Sequence, residues 1–432
     1  YLIRGGRVVD PSRGIDRVTD VLIEGDVIRA VGDDVSALAN TISGQVFKVM
    51  DAKGLVVAPG FVDLHVHFRE PGTEGETIAS GVESAVAGGF TTVCVMPNTT
   101  PAIDNGERVA WQHERAREKN LANVRVVGAL TASREGKRCS DVNSMAREGV
   151  VALSDDGSGV QDAGVMLAAM QRAAEHGLPV SDHAEDACLA GAGIINSGDI
   201  SRAWGIEGKP VVAEEAMIAR DIEIARATGA HLHVAHLSTV RGVELVRRAK
   251  NDGVRITAEV TPHHLALTEN DVVVKNSLYD SSGSIERRPG DLNPNKKMNP
   301  PLRTGLDTWA LKVAVKEGVI DAIATDHAPH PAAKKAKGIL AAPNGVVGLE
   351  TAFSVAYMIF CVHQSQAELK LPRLIATLTS GPAGIFGLDA GTLCPGRKAD
   401  LVILDLNARW KVAPGELRSE SKNTPWAGVE LP

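Results

Sequence analysis

A chain of 432 residues far exceeds the ~150 of a typical domain, so it forms one large barrel-type domain with additions, or two domains, and a small disulfide-stapled scaffold is excluded. With 44% hydrophobic and 23% charged residues and 43 glycines, it is ordinary globular material, neither collagen-like nor disordered. Its 46 Lys+Arg against 53 Asp+Glu give a formal charge of −7 with no basic run to follow a phosphate backbone, and its most apolar stretch, Phe353 to Val362, falls short of the ~20 residues that span a bilayer. No nucleic-acid or membrane partner is expected. Five scattered cysteines, none in a Cys-x-x-Cys pair, indicate neither a disulfide framework nor a thiolate zinc site, and no signal peptide opens the chain; a cytoplasmic protein is expected.

The first segment, Tyr1 to Val57, reads as short strands (Leu2-Ile3, Val8-Val9, Val21–Ile23, Val27-Ile28, Val46–Val49) separated by turns at Gly5-Gly6 and Gly25-Asp26. Strands and helical patterns then alternate. Strands are predicted at Val62–His67, Thr91–Met96, Val124–Ala129, Val150–Ser154, Pro179–His183, His231–His236, Arg255–Val260 and Ala322–Thr325. Helices are predicted at Thr77–Ala87, Glu107–Lys119, Ala163–Glu175, Glu214–Ala227, Val240–Lys250, Leu306–Lys316 and Glu350–Val362. Such alternation predicts an α/β fold, a (β/α)8 TIM-type barrel whose site lies at the carboxyl ends of its strands. The polar stretch Asp280–Lys297 is expected to be a flexible excursion. Near the end, Gly396–Asp400 followed by Leu401–Leu404 returns to the opening style of turn and strand, so the two ends are expected to share one sheet. The expected division is a small β-sandwich-like domain of residues 1–57 plus 386–432, and a metal-dependent hydrolase barrel of residues 58–385.

The strongest chemical signal closes the first barrel strand, in Asp63-Leu64-His65-Val66-His67-Phe68-Arg69-Glu70-Pro71. Positions i and i+2 of a strand share a side, so His65 and His67 can offer imidazole nitrogens to one point, a donor set that suits zinc. Four other strand ends carry metal-type ligands: Asp155-Asp156, His183, His236 and Asp326. Each alone is as readily a turn former, a helix cap or a satisfied core residue. Their convergence on one end of one barrel is the informative fact. Within His231–His236, parity puts His231 and His233 on one face and His236 on the other, so not all three can line a pocket; His236, nearest the carboxyl end, is the expected ligand. His263 and His264 are expected to be supporting or structural. In Ala324-Thr325-Asp326-His327-Ala328-Pro329-His330, followed by Lys335, the stiff Ala-Pro step lets Asp326 reach the metal site while His330 faces a substrate.

At these residues the chain resembles the bacterial type I dihydroorotases of the cyclic-amidohydrolase superfamily. Asp63–Pro71 and Ala324–Lys335 match that family's two signature stretches, and similarity extends through Gly88–Thr92, Met96–Thr99, Asn299–Arg303 and Gly348–Ala352. Many superfamily members carry a carbamylated lysine at the end of strand four; here Leu153-Ser154-Asp155-Asp156-Gly157 stands instead, and the resemblance selects Asp156 over Asp155 as the bridging ligand. It implies one or two zinc ions per chain: His65, His67 and Asp326 on one, His183 and His236 on the other, Asp156 between. It further implies reversible ring closure of N-carbamoyl-L-aspartate to dihydroorotate, with Asp326 shuttling the proton. The substrate is anionic, and Arg69 offers a planar guanidinium for its carboxylate, joined by Asn98 and His330; Asn299 and the backbone near Gly345 contact the ring by similarity. A homo-oligomer and an aspartate transcarbamoylase partner are also implied. Two features depart from the family: an apparent insertion at Ser281–Asn293, and Asn344 where relatives place an apolar or aromatic residue. The competing readings are another cyclic-amide hydrolase (dihydropyrimidinase, hydantoinase or allantoinase), against which Arg69 and the missing lysine argue, and a silent scaffold for aspartate transcarbamoylase, against which the metal histidines argue.

Overall fold

β-Branched runs near the start of the chain pair with one another before the barrel begins. In the computed structural model, which describes residues 1–33, 35, 48–72, 74–274, 288–363 and 367–432, β1 (Leu2–Asp10), β2 (Ile15–Glu24) and β3 (Val27–Gly32) form an antiparallel meander. β4 (Val49–Asp51) and β5 (Val56–Pro59) pair with β1 in parallel. Val46 and Phe47 of the predicted strand Val46–Val49 lie outside the described residues.

The barrel follows: β6 (Phe61–Val66), β7 (Phe90–Val95), β8 (Asn123–Ala129), β9 (Ala152–Ser154) and β10 (Val180–Asp182), then the short pair β11 (Ile195–Asn196) and β12 (Gly208–Lys209), then β13 (Leu232–Val234), β14 (Ile256–Val260) and β15 (Ala322–Ile323). The eight long-range partners run in the order β6-β7-β8-β9-β10-β13-β14-β15, all parallel. The ring closes just past β15, where Val66 bridges His327 and the His67 N–H donates to the His327 carbonyl at 2.9 Å. These are the eight predicted strands, with ends shifted by one or two residues.

Side-chain caps start the crossover helices. Thr77, Asn105, Asp162, Thr239 and Thr304 each accept a backbone N–H of the first turn of Ile78–Ala87, Gly106–Lys119, Ala163–Glu175, Val240–Asn251 and Gly305–Glu317; each such cap stabilises its helix by about 1 kcal/mol. Val212–Thr228 completes the set near the predicted Glu214–Ala227. The predicted helix Glu350–Val362 is three pieces: a tight turn at Leu349–Thr351, an α-helix at Ala352–Tyr357 and a wider π turn at Met358–Val362. A large apolar core lies between strands and helices. A second one, including Val62, Leu64, Val127, Ala152 and Ala322, meets Ile385 and Phe386 from the chain beyond the last barrel helices, and the Phe386 ring stands 5.6 Å from that of His233.

β16 (Leu401–Leu404) then returns to pair antiparallel with β5, so the two ends of the chain do share one six-stranded sheet. A last hairpin-like pair, β17 (Trp410–Lys411) and β18 (Glu430–Leu431), brackets an extended segment that crosses the barrel rim. Among the described residues, no helix is long and apolar enough to cross a membrane.

Candidate active site

Strand ends deliver the metal-type side chains to one point. His65, within β6, and His67, just past its end, have ring centres 5.3 Å apart. Asp156 follows β9 and places Oδ1 3.1 Å from His65 Nε2 and Oδ2 3.4 Å from His67 Nε2. From the other side, His183 Nδ1 and His236 Nε2 approach the same Oδ1 at 3.4 and 3.5 Å. One carboxylate is thereby shared by two trios, His65–His67–Asp156 and Asp156–His183–His236, all buried and each with its ligand-type atoms within 4.8 Å of one another. Asp326 joins the first trio, its Oδ1 3.0 Å from His67 Nε2.

Backbone geometry accounts for two of these placements. β13 ends at Val234, and His236 adopts a left-handed φ of 30°, which turns its side chain back to the barrel axis, so strand parity with His233 does not govern it. Asp326 does the same at φ 47°. Left-handed backbone at a non-glycine residue costs on the order of 1–3 kcal/mol and persists where surrounding structure imposes it. Asp155, by contrast, accepts the N–H groups of Leu130 and Thr131 at 2.9 and 3.0 Å and so ties down the loop after β8.

The electrostatics call for a cation. Burial opposes ionisation of Asp156, but His65, His183 and His236 hold its carboxyl well below the usual range. Burial likewise disfavours a charged His65, yet Asp156 and Glu259 push its pKa well above the ordinary imidazole value. His65 Nε2 and Asp156 Oδ1, both buried, find no hydrogen-bond partner among the described residues. Orphaned nitrogen and oxygen donors aimed at each other in a dry site fit a divalent metal, and an all-imidazole-and-carboxylate set suits zinc.

Behind the ligands stands a layer that orients them. Glu259 Oε1 lies 2.8 Å from His65 Nδ1 and its Oε2 3.2 Å from His233 Nε2; burial disfavours its charge, but the two histidines bring its pKa down to about 2. Asn98 Oδ1 lies 2.8 Å from His67 Nδ1, so an Nδ1–H there leaves the Nε2 lone pair facing the centre. Asn299 places Nδ2 3.0 Å from His183 Nε2 and accepts from Lys209 Nζ at 2.7 Å.

A pocket of about 280 Å³ opens above this cluster, lined by Arg69, Asn98, Asn299, His330 and Gly345 as well as His67, Asp156, His183, His236 and Asp326. Arg69 is half-buried, and the desolvation lowers its pKa to about 10, so it stays cationic at neutral pH. His330 donates from Nε2 to the Asn344 carbonyl at 2.6 Å, and burial beside Arg69 drops its pKa to about 3, leaving it neutral. Gly345 has φ 114°, and a Cβ there would meet the Ala328 Cβ at 2.5 Å, so only glycine fits. Hollows of about 500 and 630 Å³ lie against the composite sheet and at the opposite barrel mouth, but neither coincides with a metal-type cluster among the described residues.

Comparison with known proteins bears on this geometry. A family model described as Dihydro-orotase-like matches residues 54–241. A dihydroorotase of Elusimicrobium minutum is 41% identical over 432 residues, covering 100% of this chain and 94% of that protein. One from Anaeromyxobacter dehalogenans is 44% identical over 430 residues, covering 99% and 94%. The chain belongs to the dihydroorotase family. Solved structures sharing the fold include the dihydropyrimidinase of Brevibacillus agri (TM-score 0.82, 22% identity, 100% of this chain and 91% of that one) and the L-hydantoinase of Arthrobacter aurescens (TM-score 0.81, 25% identity, 100% and 92%).

Five of the six metal candidates and all five substrate candidates line this pocket, and the sixth, His65, lies behind it with Nε2 3.1 Å from Asp156 Oδ1. His231 sits at the opposite end of its strand, bonded to Thr257. His264 is tied to Thr261 and the Pro300 carbonyl. Residues 281–287 of the apparent insertion lie outside the described residues; at its other end, Pro289–Asp291 is one short helical turn. Sequence reasoning missed Glu259, although a carboxylate in step with Thr257 on an otherwise apolar strand was a signal. It also missed Asn423, for which the turn-like tail gave none.

Proposed function

We propose that the chain is a zinc-dependent dihydroorotase that catalyses the reversible cyclisation of N-carbamoyl-L-aspartate to (S)-dihydroorotate and water, the third step of de novo pyrimidine synthesis, with one or two zinc ions per chain. The observation that carries this reading is Asp156 Oδ1 within 3.5 Å of His65, His183 and His236, beside the pocket that also holds Arg69. In this reading His65, His67 and Asp326 hold one ion, His183 and His236 the other, and Asp156 faces both. Bound zinc supplies Lewis acidity, which acidifies water and withdraws charge from an amide carbonyl.

The side chains do the rest. Burial favours a neutral Asp326, but His67 and His65 hold it ionised, so in the hydrolytic direction it starts as a base. It accepts the proton of the attacking water and returns it to the ring nitrogen as the carbon–nitrogen bond breaks, serving as base and then acid without a covalent intermediate. Arg69 grips the substrate carboxylate through parallel N–H bonds, with Asn98, Asn299, His330 and the Gly345 backbone around the ring. An uncharged hydantoin or dihydropyrimidine ring would leave that guanidinium without an anion. By resemblance the reading extends to a cytoplasmic homo-oligomer with aspartate transcarbamoylase as a partner, and to a division into residues 58–385 as the barrel and 1–57 with 386–432 as the smaller domain.

The test is turnover of dihydroorotate against dihydrouracil and allantoin, alongside the zinc-to-protein ratio. Preference for dihydroorotate with bound zinc is expected; preference for either uncharged ring overturns the substrate, and unchanged activity in His65→Ala overturns the metal centre.

A further inference from the structure

The segment from Ser419 to Thr424 belongs to no helix or strand, yet Ser419, Ser421, Asn423 and Thr424 are buried. It lies across the loops that carry the substrate-facing residues. The Ser421 hydroxyl donates to the Gly75 carbonyl at 2.6 Å and the Glu420 N–H to Glu76 Oε1 at 3.1 Å, both in the loop that begins with Arg69. Asn423 reaches the other side. Its Nδ2 donates to the Ala328 and Gly345 carbonyls, each at 3.1 Å, and its Oδ1 accepts the His330 N–H at 3.1 Å, while its own carbonyl accepts from Val347 N–H at 3.2 Å.

These contacts fix the orientation of the carboxamide. Both Nδ2 hydrogens are used on carbonyls, and a flipped amide would set an oxygen against two oxygens. One side chain, 3% exposed, therefore bonds the peptide of His330 and that of Gly345 at once, beside the direct links from Ala328 N–H to the Val346 carbonyl at 2.8 Å and from His330 Nε2 to the Asn344 carbonyl at 2.6 Å. It bonds none of His65, His67, Asp156, His183 or His236, which are held by strand ends, Glu259 and Asn98. Nearby, Lys335 Nζ donates to the Pro343 carbonyl at 2.9 Å, so the loop keeps a second anchor when Asn423 is changed.

Resting on the dihydroorotase reading above, we propose that Asn423 is a positioning residue for substrate binding: from behind, it locks the neighbouring His330 and Gly345 peptides together at the pocket rim and so supports the grip on the anionic ring. The residue acts through its neighbours and touches no reacting atom. Its loss weakens ground-state and transition-state binding together, which raises KM more than it lowers kcat.

Asn423→Asp keeps the shape but presents a carboxylate to two carbonyls. Asn423→Ser keeps a hydroxyl that can serve one of them, and covers the case in which the aspartate variant fails to fold. Both full-length variants are assayed beside the wild type with dihydroorotate, together with melting temperature and metal-to-protein ratio. The expected result is a KM raised about tenfold in Asn423→Asp and less in Asn423→Ser, kcat within about threefold, and metal content unchanged. Unchanged KM in folded variants overturns the role, as does a kcat that falls in step with melting temperature while KM stays constant. A wild type inert toward dihydroorotate overturns the functional reading itself, a result distinct from an active wild type matched in KM by its variants.

Discussion

The floor of the pocket and its rim are held in different ways. His65, Asp156, His183 and His236 come from the ends of parallel strands or within two residues of them, so the barrel's own hydrogen-bond ladder sets their spacing, and Glu259 on β14 locks His65 from behind. Arg69, His330 and Gly345 stand on loops, where the fixed points are backbone carbonyls gripped by buried side chains such as Asn423 and Lys335. Damage to the floor should therefore remove chemistry or metal, and damage to the rim should cost affinity.

The sharpest way to break this contrast is Asp156→Asn, which keeps the shape but removes the charge shared by both trios. A loss of at least a thousandfold in kcat/KM, about 4 kcal/mol, with reduced bound metal is expected from steady-state assays and elemental analysis. Wild-type metal content and activity would mean that the carboxylate is only a structural acceptor. Next comes Glu259→Gln, which removes the negative charge that faces His65 and His233; metal affinity should fall roughly 10–100-fold in competition with a chelator, with KM for substrate little changed once metal is saturating. On the rim, Arg69→Lys substitutes a point charge for a planar fork, and KM should rise about tenfold with metal content unaltered. Were Arg69→Lys to strip the metal instead, floor and rim would not be separable.

The same contrast explains what could be read in the sequence. Strand ends announce themselves, because a β-rich run that stops in His or Asp fixes both the height and the side of the residue in a parallel barrel. That placed His65, His67, His183 and Asp326 from pattern alone. The choice of Asp156 over Asp155 came from resemblance, since only the fold shows Asp155 turned to the Leu130 and Thr131 amides. His236 reaches the cluster by a route that parity does not describe: parity supposes a strand, and a φ of 30° past the strand's end overrides it. The rim was legible as residue names but not as architecture. Nothing in Ser419–Thr424 reveals that an extended tail crosses the barrel mouth, because its information lies in contacts to carbonyls that every residue possesses.

Lys335 gives the finest test of how the rim is held. It is 3% exposed, and burial together with the charge of Lys297 lowers its pKa to about 7. The unfolded chain binds that proton up to pH ~10.4. Between these values the unfolded state carries a proton the folded state lacks, so this group makes the protein more stable as pH rises from 7 towards 10, and below 7 its full penalty persists. Whether charged or neutral, the amine can still donate to the Pro343 carbonyl, so rim geometry is kept through the titration. In Lys335→Met the donor is lost at every pH, a constant cost of about 1–3 kcal/mol, and the pH-dependent part disappears. Urea unfolding of both proteins from pH 7 to 10 should show the wild type gaining on the variant by up to about 1 kcal/mol per pH unit. Parallel stability curves would mean that the buried ammonium is not destabilised, and that the rim is held by an ordinary charged lysine.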